Sequence, residues 1–405
     1  MLVASDLSTR RGAPRVAVVH EWMVMYAGSE RVVKHMLRCF PSADLFAVLS
    51  ILEPGDAPEL TRRLKGTTFI QHLPWLRKMY RRYLPLMPLA IEQLDLSDYD
   101  IIISSNHAVA KGVITGPDQL HISYVHSPMR YAWDMQQKYL KETGLDRGLK
   151  GYLARRMLFK IRLWDAVSAN RVDHFLANSH YIKRRIAKAY RREADVIYPP
   201  VDLEWFSPEG ERGDYYLTAS RLVPYKQAQM VVEAFTKMPA RRLVVIGDGP
   251  EMGRIKRMAT PNIELLGHQP NEALREHMRR ARAFVFAAEE DFGIMPIEAQ
   301  ACGAPVIAFG RGGSTETVAP FGEADRPSGI LFHEQTPAAL TAAVDLFEAN
   351  ASAFTPEASH DNAMRFSAAR FEEEFGQYVT RRWEDWLRAN APQAVRKTTG
   401  DRRAG

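Results

Sequence analysis

Cysteine is nearly absent: 405 residues hold two, Cys39 and Cys302. So few, so far apart, exclude a disulfide framework and a spaced zinc motif, and they suit a reducing compartment. No metal site is expected. No apolar run reaches the roughly 20 residues that cross a bilayer, and no signal-peptide pattern opens the chain. The expectation is a cytoplasmic protein. Gly247-Asp248-Gly249 starts like a dinucleotide fingerprint but lacks the third glycine, since Gly253 falls one position late, which argues against a nicotinamide cofactor. Beyond charge there is no nucleic-acid motif. That charge, +6, suits an anionic partner without choosing between nucleotide, lipid and nucleic acid.

What is present is ordinary in bulk and informative in places. Hydrophobic residues make up 46% and charged residues 25%, typical of globular proteins, and the length suffices for two domains with separate cores. The organising stretch is Ala288 to Glu316. An apolar run, residues 283–287, reads as a buried parallel strand. It releases Glu289, Glu290 and Asp291, then Phe292-Gly293, then Pro296 in the first turn of a helix. Glu298 is placed in that same first turn, where the helix dipole favours an anion. A second strand, residues 305–309, ends in Gly310-Arg311-Gly312-Gly313-Ser314 before another helix. Two strands that end in glycine-bearing loops feeding helix starts form a phosphate-binding crevice. Two carboxylates flanking it suit hydroxyl groups. The plainer account is a βαβ unit with a capping Glu298 and a solvated acidic loop, which leaves the agreement of so many turn features unexplained.

Glu290-Asp-Phe-Gly-Ile-Met-Pro-Ile-Glu298, followed by Ala299 and Gly303, resembles the signature of the family 4 retaining glycosyltransferases: two glutamates separated by seven residues. The resemblance covers most of the chain and is nearest to bacterial mannosyltransferases of O-antigen and exopolysaccharide assembly. It implies an α/β fold of the GT-B type, two Rossmann-like domains facing across a cleft. It also implies a nucleotide-sugar donor, a lipid-linked or growing glycan acceptor, and no cofactor or metal.

The rest of the chain fills that frame. Residues 15–20 read as a first strand running to Gly28, with Ser29 as a helix cap; by resemblance Gly28 faces the donor's diphosphate. Residues 45–49 and 67–71 read as strands. Between residues 73 and 90, Trp75, Arg77, Lys78, Arg81 and Arg82 mix aromatic and basic character with no acid before Glu92, and prolines 74, 85 and 88 interrupt any long helix. That segment reads either as a surface for an anionic membrane, at the inner face of the plasma membrane, or as an irregular helix with a solvated basic face. A second cluster, Tyr152 to Trp164, adds to the membrane reading. Asp98-Tyr-Asp100 precedes a strand and reads as a turn. His126 leaves a strand's carboxyl end into a loop with Arg130 and Tyr131, and Tyr131 is assigned with the acceptor side. Alone, such a histidine is more often structural; the resemblance places it beside the transferred sugar.

Residues 197–202 read as a linker. The second domain opens with a strand leading to Arg221 and Lys226, where a diphosphate needs cations; the resemblance assigns both to it. Gly267 follows a further strand where the resemblance places the base. The implied catalytic set is His126, Glu290, Arg221 and Lys226, with Phe292, Gly293, Ile294 and Glu298 also on the donor. Domain bounds are 15–195 and 196–364, with helix 365–388 returning to the first domain. Residues 1–14 and a basic tail, 389–405, are expected to be disordered. A nucleotide-sugar 2-epimerase on the same architecture, and a non-catalytic basic membrane- or nucleic-acid-binding protein, are the rival readings.

Overall fold

The computed structural model describes residues 13–53 and 55–390. The expected disorder of residues 1–12 and of the tail from residue 391 lies outside them. The first unit runs β1 (Val16–Met23), α1 (Gly28–Cys39), β2 (Asp44–Ser50), α2 (Pro58–Arg63), β3 (Leu64–Thr67), α3 (Leu76–Met79), α4 (Met87–Ile91), β4 (Ile101–Asn106), β5 (Leu120–Val125), α5 (Gln136–Glu142), α6 (Gly148–Ser168), β6 (His174–Ala177), α7 (His180–Tyr190) and β7 (Asp195–Val196). The second runs β8 (Tyr215–Ala219), α8 (Ala228–Thr236), β9 (Arg242–Ile246), α9 (Met252–Met258), β10 (Ile263–Gly267), α10 (Asn271–Arg280), β11 (Ala283–Phe286), α11 (Ile294–Ala301), β12 (Val306–Phe309), α12 (Ser314–Thr317), β13 (Gly329–Phe332), α13 (Pro337–Ala349) and α14 (Pro356–Met364). A last helix, α15 (Ala368–Ala389), follows.

Each unit holds one parallel sheet, ordered β3-β2-β1-β4-β5-β6-β7 and β10-β9-β8-β11-β12-β13. Strands such as Val306-Ile-Ala-Phe309 are buried throughout because helices cover both faces of a parallel sheet. In each sheet the strand order reverses at one place, β1/β4 in the first and β8/β11 in the second. Loops leaving the carboxyl ends at such a reversal part to opposite faces and open a crevice. One crevice is therefore bounded by the loops after β8 and β11, the other by those after β1 and β4. The two units meet across them.

α15 returns to the first unit: Phe371, Phe375, Tyr378, Val379 and Trp383 join the core built on α1 and β1. Each such side chain contributes roughly 1.5–3 kcal/mol by area, an upper estimate.

Four local expectations need correction. Residues 67–71 are not a strand; β3 ends at Thr67, and the Thr68 hydroxyl donates to the Val48 carbonyl at 2.7 Å while accepting from Ile70 N–H, which turns the chain. β7 pairs with β6, so the first sheet extends one residue past 195. Ala27, not Ser29, precedes α1 as its cap; the Glu30 carboxylate takes the Ala27 amide instead. Ala389 belongs to α15, so the basic tail starts later than residue 389.

Candidate active site

Sheet order brings Lys226 to Glu290. The loop after β8 and the loop after β11 are neighbours at the strand reversal, and the Lys226 ammonium contacts Glu290 Oε1 there. Burial, then the charge of Arg130, pulls Lys226 down to about 8, and the Asp291 carboxylate opposes that pull. Arg221 stands exposed, with no ion-pair partner among the described residues. Gly267 closes β10 in a left-handed conformation with open space around it.

The helix start is where spacing misled. Gly293 adopts φ 88° and begins α11 directly, so Ile294 is the first helical residue and Glu298 lies in the second turn, not the first. By helix geometry the amides of Gly293, Ile294 and Met295 have no intrahelical acceptor, and they open α11 three residues after Glu290. The loop is clamped from below: Gly313 N–H donates to the Glu290 carbonyl at 2.7 Å. A Cβ on Gly313 would fall 2.2 Å from the Phe292 carbonyl, so only glycine lets the two loops approach. The Phe292 ring is buried against Tyr198 and Phe366, so its side chain belongs to the core and its backbone is what the loop offers a donor.

The first unit supplies the opposite wall. A Cβ on Gly28 would lie 2.9 Å from Ile294 Cδ1, so the glycine turn faces the start of α11. His126 follows β5; its backbone carbonyl accepts from Asn178 Nδ2 at 3.0 Å, and the adjacent Ser179 hydroxyl donates to the Asp291 carbonyl at 2.8 Å. The histidine thus sits beside the Glu290-Asp291 loop. Its ring nitrogen Nε2 is 2.9 Å from Ser105 Oγ. Burial first, then the nearby His107 and His20, holds it well below the ordinary histidine range. It is a neutral imidazole at pH 7.

Several residues that local spacing does not reveal bind the two walls together. Arg31 donates to Glu298 Oε1 at 2.9 Å. Burial raises the Glu298 carboxyl and Arg31 counters it. Asp291 bridges Arg130 at 2.5 Å and Arg185 at 2.9 Å, and Glu316 accepts the first amides of α7 from His180 and Tyr181. Tyr181 donates to Glu289 at 3.0 Å. Every one of these contacts spans the units, and beside them a small cavity of about 40 Å³ lies between Arg130, Tyr139, Tyr225 and Glu289.

Residues 73–90 fold as short helical pieces rather than one long helix. Trp75 is 73% exposed in a left-handed turn, Arg77 pairs with Glu53 at 2.6 Å, and Arg81 lies over the Tyr80 ring. Lys78 and Arg82 are exposed. The acid missing from the local sequence is supplied by the fold. Tyr131 does not join this segment: its hydroxyl is buried without a partner and its ring packs toward Tyr139. By contrast α6 exposes Leu149, Tyr152, Leu153, Phe159, Leu163 and Val167, each 52–75% accessible, on the face opposite its buried Leu158, Ile161 and Asp165. Among the described residues no group of three or more His, Cys, Asp or Glu is arranged to hold a metal ion, and no helix is long and apolar enough to cross a membrane.

This fold and cleft define a class. Residues 26–205 match the family described as Glycosyltransferase Family 4, and residues 203–365 match Glycosyl transferases group 1. The chain belongs to the family 4 glycosyltransferases of GT-B architecture. Among individual proteins it is 30% identical over 171 residues to a GDP-mannose-dependent alpha-(1-6)-phosphatidylinositol monomannoside mannosyltransferase of Mycolicibacterium smegmatis, covering 35% of this chain and 45% of that one. It is 30% identical over 229 residues to a D-inositol 3-phosphate glycosyltransferase of Mycolicibacterium gilvum, covering 49% of each. The chain thus spans about half the length of the curated relatives it matches. The crystal structure of the Anabaena protein HepE in complex with UDP and glucose superposes with a TM-score of 0.62 at 14% identity, covering 91% of this chain and 99% of that one. That likeness speaks to fold alone.

Proposed function

We propose that the chain is a retaining glycosyltransferase that moves a hexosyl group, mannose from GDP-mannose, onto a lipid-linked or growing polysaccharide acceptor in lipopolysaccharide or related cell-surface glycan synthesis. One observation carries the reading: Lys226 and Glu290 meet beside the amide-bearing start of α11, with the Gly28 turn directly opposite. A diphosphate laid across this point meets an ammonium, helix amides and the dipole's positive end. Glu290 then accepts hydroxyl hydrogens of the sugar. Arg221 and Lys226 stabilise the charge that grows on the departing diphosphate, where electrostatic complementarity contributes most to the rate. Glu298, with Arg31, closes the ribose end. His126, neutral, orients the sugar.

Mannose and guanine rest on the Mycolicibacterium smegmatis relative, which is GDP-mannose-dependent by name. The Anabaena structure holds UDP and glucose, so a UDP-hexose is the competing donor. Purified protein incubated with GDP-mannose and with UDP-sugars, assayed for donor hydrolysis and saturation-transfer NMR, decides between them. Response to UDP-sugars alone would overturn the mannose reading and leave the enzyme class standing. Conversion of donor to its 2-epimer without acceptor would instead support the epimerase.

The acceptor side includes an anionic bilayer. α6 carries Lys150, Arg155, Arg156 and Lys160 among its exposed apolar residues and has no acid before the buried Asp165. An apolar face with a basic rim suits the headgroup region of anionic lipid.

A further inference from the structure

Behind His126 lies a set of polar side chains that donor binding leaves unused. Ser105 Oγ is 2.9 Å from His126 Nε2 and 3.0 Å from His20 Nδ1. His20 Nε2 sits 3.5 Å from Glu30 Oε1. The other oxygen of Glu30 accepts from the Ser29 hydroxyl at 2.9 Å and the Ala27 amide at 3.2 Å, the residues on either side of Gly28. His20 and Ser105 are fully buried and Glu30 is 4% exposed. The four groups come from β1, α1, β4 and the loop after β5, gathered at the strand reversal of the first sheet.

Counting donors and acceptors gives the run a direction. Burial would raise the Glu30 carboxyl, but the contacts with His20, the backbone and Ser29 together outweigh it, and Glu30 titrates below its ordinary range. An ionised carboxylate only accepts, so His20 carries hydrogen on Nε2. The 3.5 Å separation is longer than the roughly 2.7–2.9 Å of a charge-assisted bond and has the spacing of an ordinary N–H donor at one ring nitrogen only. Its Nδ1 therefore accepts from the Ser105 hydroxyl. The serine oxygen is then free to accept, and His126 donates from Nε2. That leaves His126 Nδ1 bare.

We propose that Glu30, His20 and Ser105 are a positioning chain that holds His126 as its Nε2–H tautomer, presents Nδ1 as an acceptor for a hydroxyl of the transferred sugar, and links that setting to the turn around Gly28. The sugar contact rests on the function proposed above; the tautomer does not. Reversal of the chain, with a cationic His20 donating from Nδ1, would turn Ser105 round and place hydrogen on His126 Nδ1.

Imidazole nitrogen NMR on the whole chain, labelled at histidine, separates the two. His126, assigned by its loss in His126→Gln, is expected to show a protonated Nε2 and a bare Nδ1. Ser105→Ala and Glu30→Leu are expected to convert it to a mixture of tautomers, and Glu30→Gln, which keeps an acceptor oxygen, to restore the single form. With GDP-mannose as donor, Ser105→Ala should lower kcat about 10-fold or more, as misplaced groups do, with a smaller change in KM. Hydrogen on Nδ1 in the unsubstituted protein, or an unchanged tautomer in Ser105→Ala, overturns the proposal, and Ser105→Ala answers even where Glu30→Leu fails to fold. A tautomer that follows Ser105 in a protein without transfer activity would sink the transferase reading alone.

Discussion

Replacing Lys226 by alanine removes the one cation that touches Glu290 among the described residues, and the structure says what should follow. The ammonium and the carboxylate are each less than one fifth exposed, so neither loss nor gain is screened as it would be at the surface. Without the ammonium, charge growing on the departing diphosphate loses a preorganised partner, which for comparable donors costs about 10²–10³ in kcat, or roughly 2.7–4 kcal/mol. Glu290 then faces the donor's phosphates unneutralised. Two unit charges about 4 Å apart at an effective dielectric near 20 repel by roughly 4 kcal/mol, an upper bound that appears in donor KM. Lys226→Ala should therefore lower kcat by two to three orders of magnitude and raise donor KM as well. The double variant Lys226→Ala/Glu290→Gln should recover part of KM and none of kcat. Asp98→Ala is the reference: Asp98 is 77% exposed and lies 3.7 Å from Arg15, far from the cleft, and its loss should leave turnover unchanged within about twofold. Steady-state donor kinetics on the four proteins give the answer. A Lys226→Ala enzyme within tenfold of the parent kcat would refute the reasoning.

Three further outcomes follow from the same geometry. Since the Lys226 ammonium titrates near 8 and binds phosphate only when charged, kcat/KM for the donor should fall as pH rises through that value, and Lys226→Arg, charged throughout, should remove this limb; a profile identical in the two proteins contradicts the assignment. Gly313→Ala drives a Cβ into the Phe292 carbonyl, which should destabilise the protein by about 1–3 kcal/mol in urea unfolding and weaken donor binding, whereas Gly55→Ala, with nothing nearby, should do neither. Phe159→Glu/Leu163→Glu on α6 should lower binding to vesicles rich in phosphatidylglycerol by about 10²-fold or more, at roughly 1.5–3 kcal/mol for each buried apolar side chain; sedimentation equal to that of the parent would discard α6 as the membrane face.

Much of this was legible because parallel strands announce themselves. Runs such as Val306-Ile-Ala-Phe309 are apolar without alternation and stop at glycine, so the strands and the loops at their carboxyl ends can be read one after another. Glu290 and Lys226 lie on such loops, and Glu298 on the helix that one of them feeds. Position within a helix was less legible: Pro296 suggested the first turn, but the left-handed Gly293 starts the helix earlier and moves Glu298 up a turn. Phe292 looked like part of the donor loop, and only the fold shows its ring buried on Tyr198. The cross-cleft ions were hidden for a different reason. Arg31 and Glu298 are 267 positions apart, and Arg185 and Asp291 are 106 apart; no local spacing encodes a pairing made by two domains closing. The α6 cluster was visible as composition, yet its one-sided exposure depends on which face the sheet covers.

The most direct measurement is a crystal structure with GDP-mannose, or GDP, bound. The expected map has diphosphate oxygens within about 3 Å of Lys226 Nζ and the amides that open α11, sugar hydroxyls on Glu290, and Gly28 across the cleft. Density for the nucleotide elsewhere, with Glu290 and Glu298 turned to solvent, would contradict it.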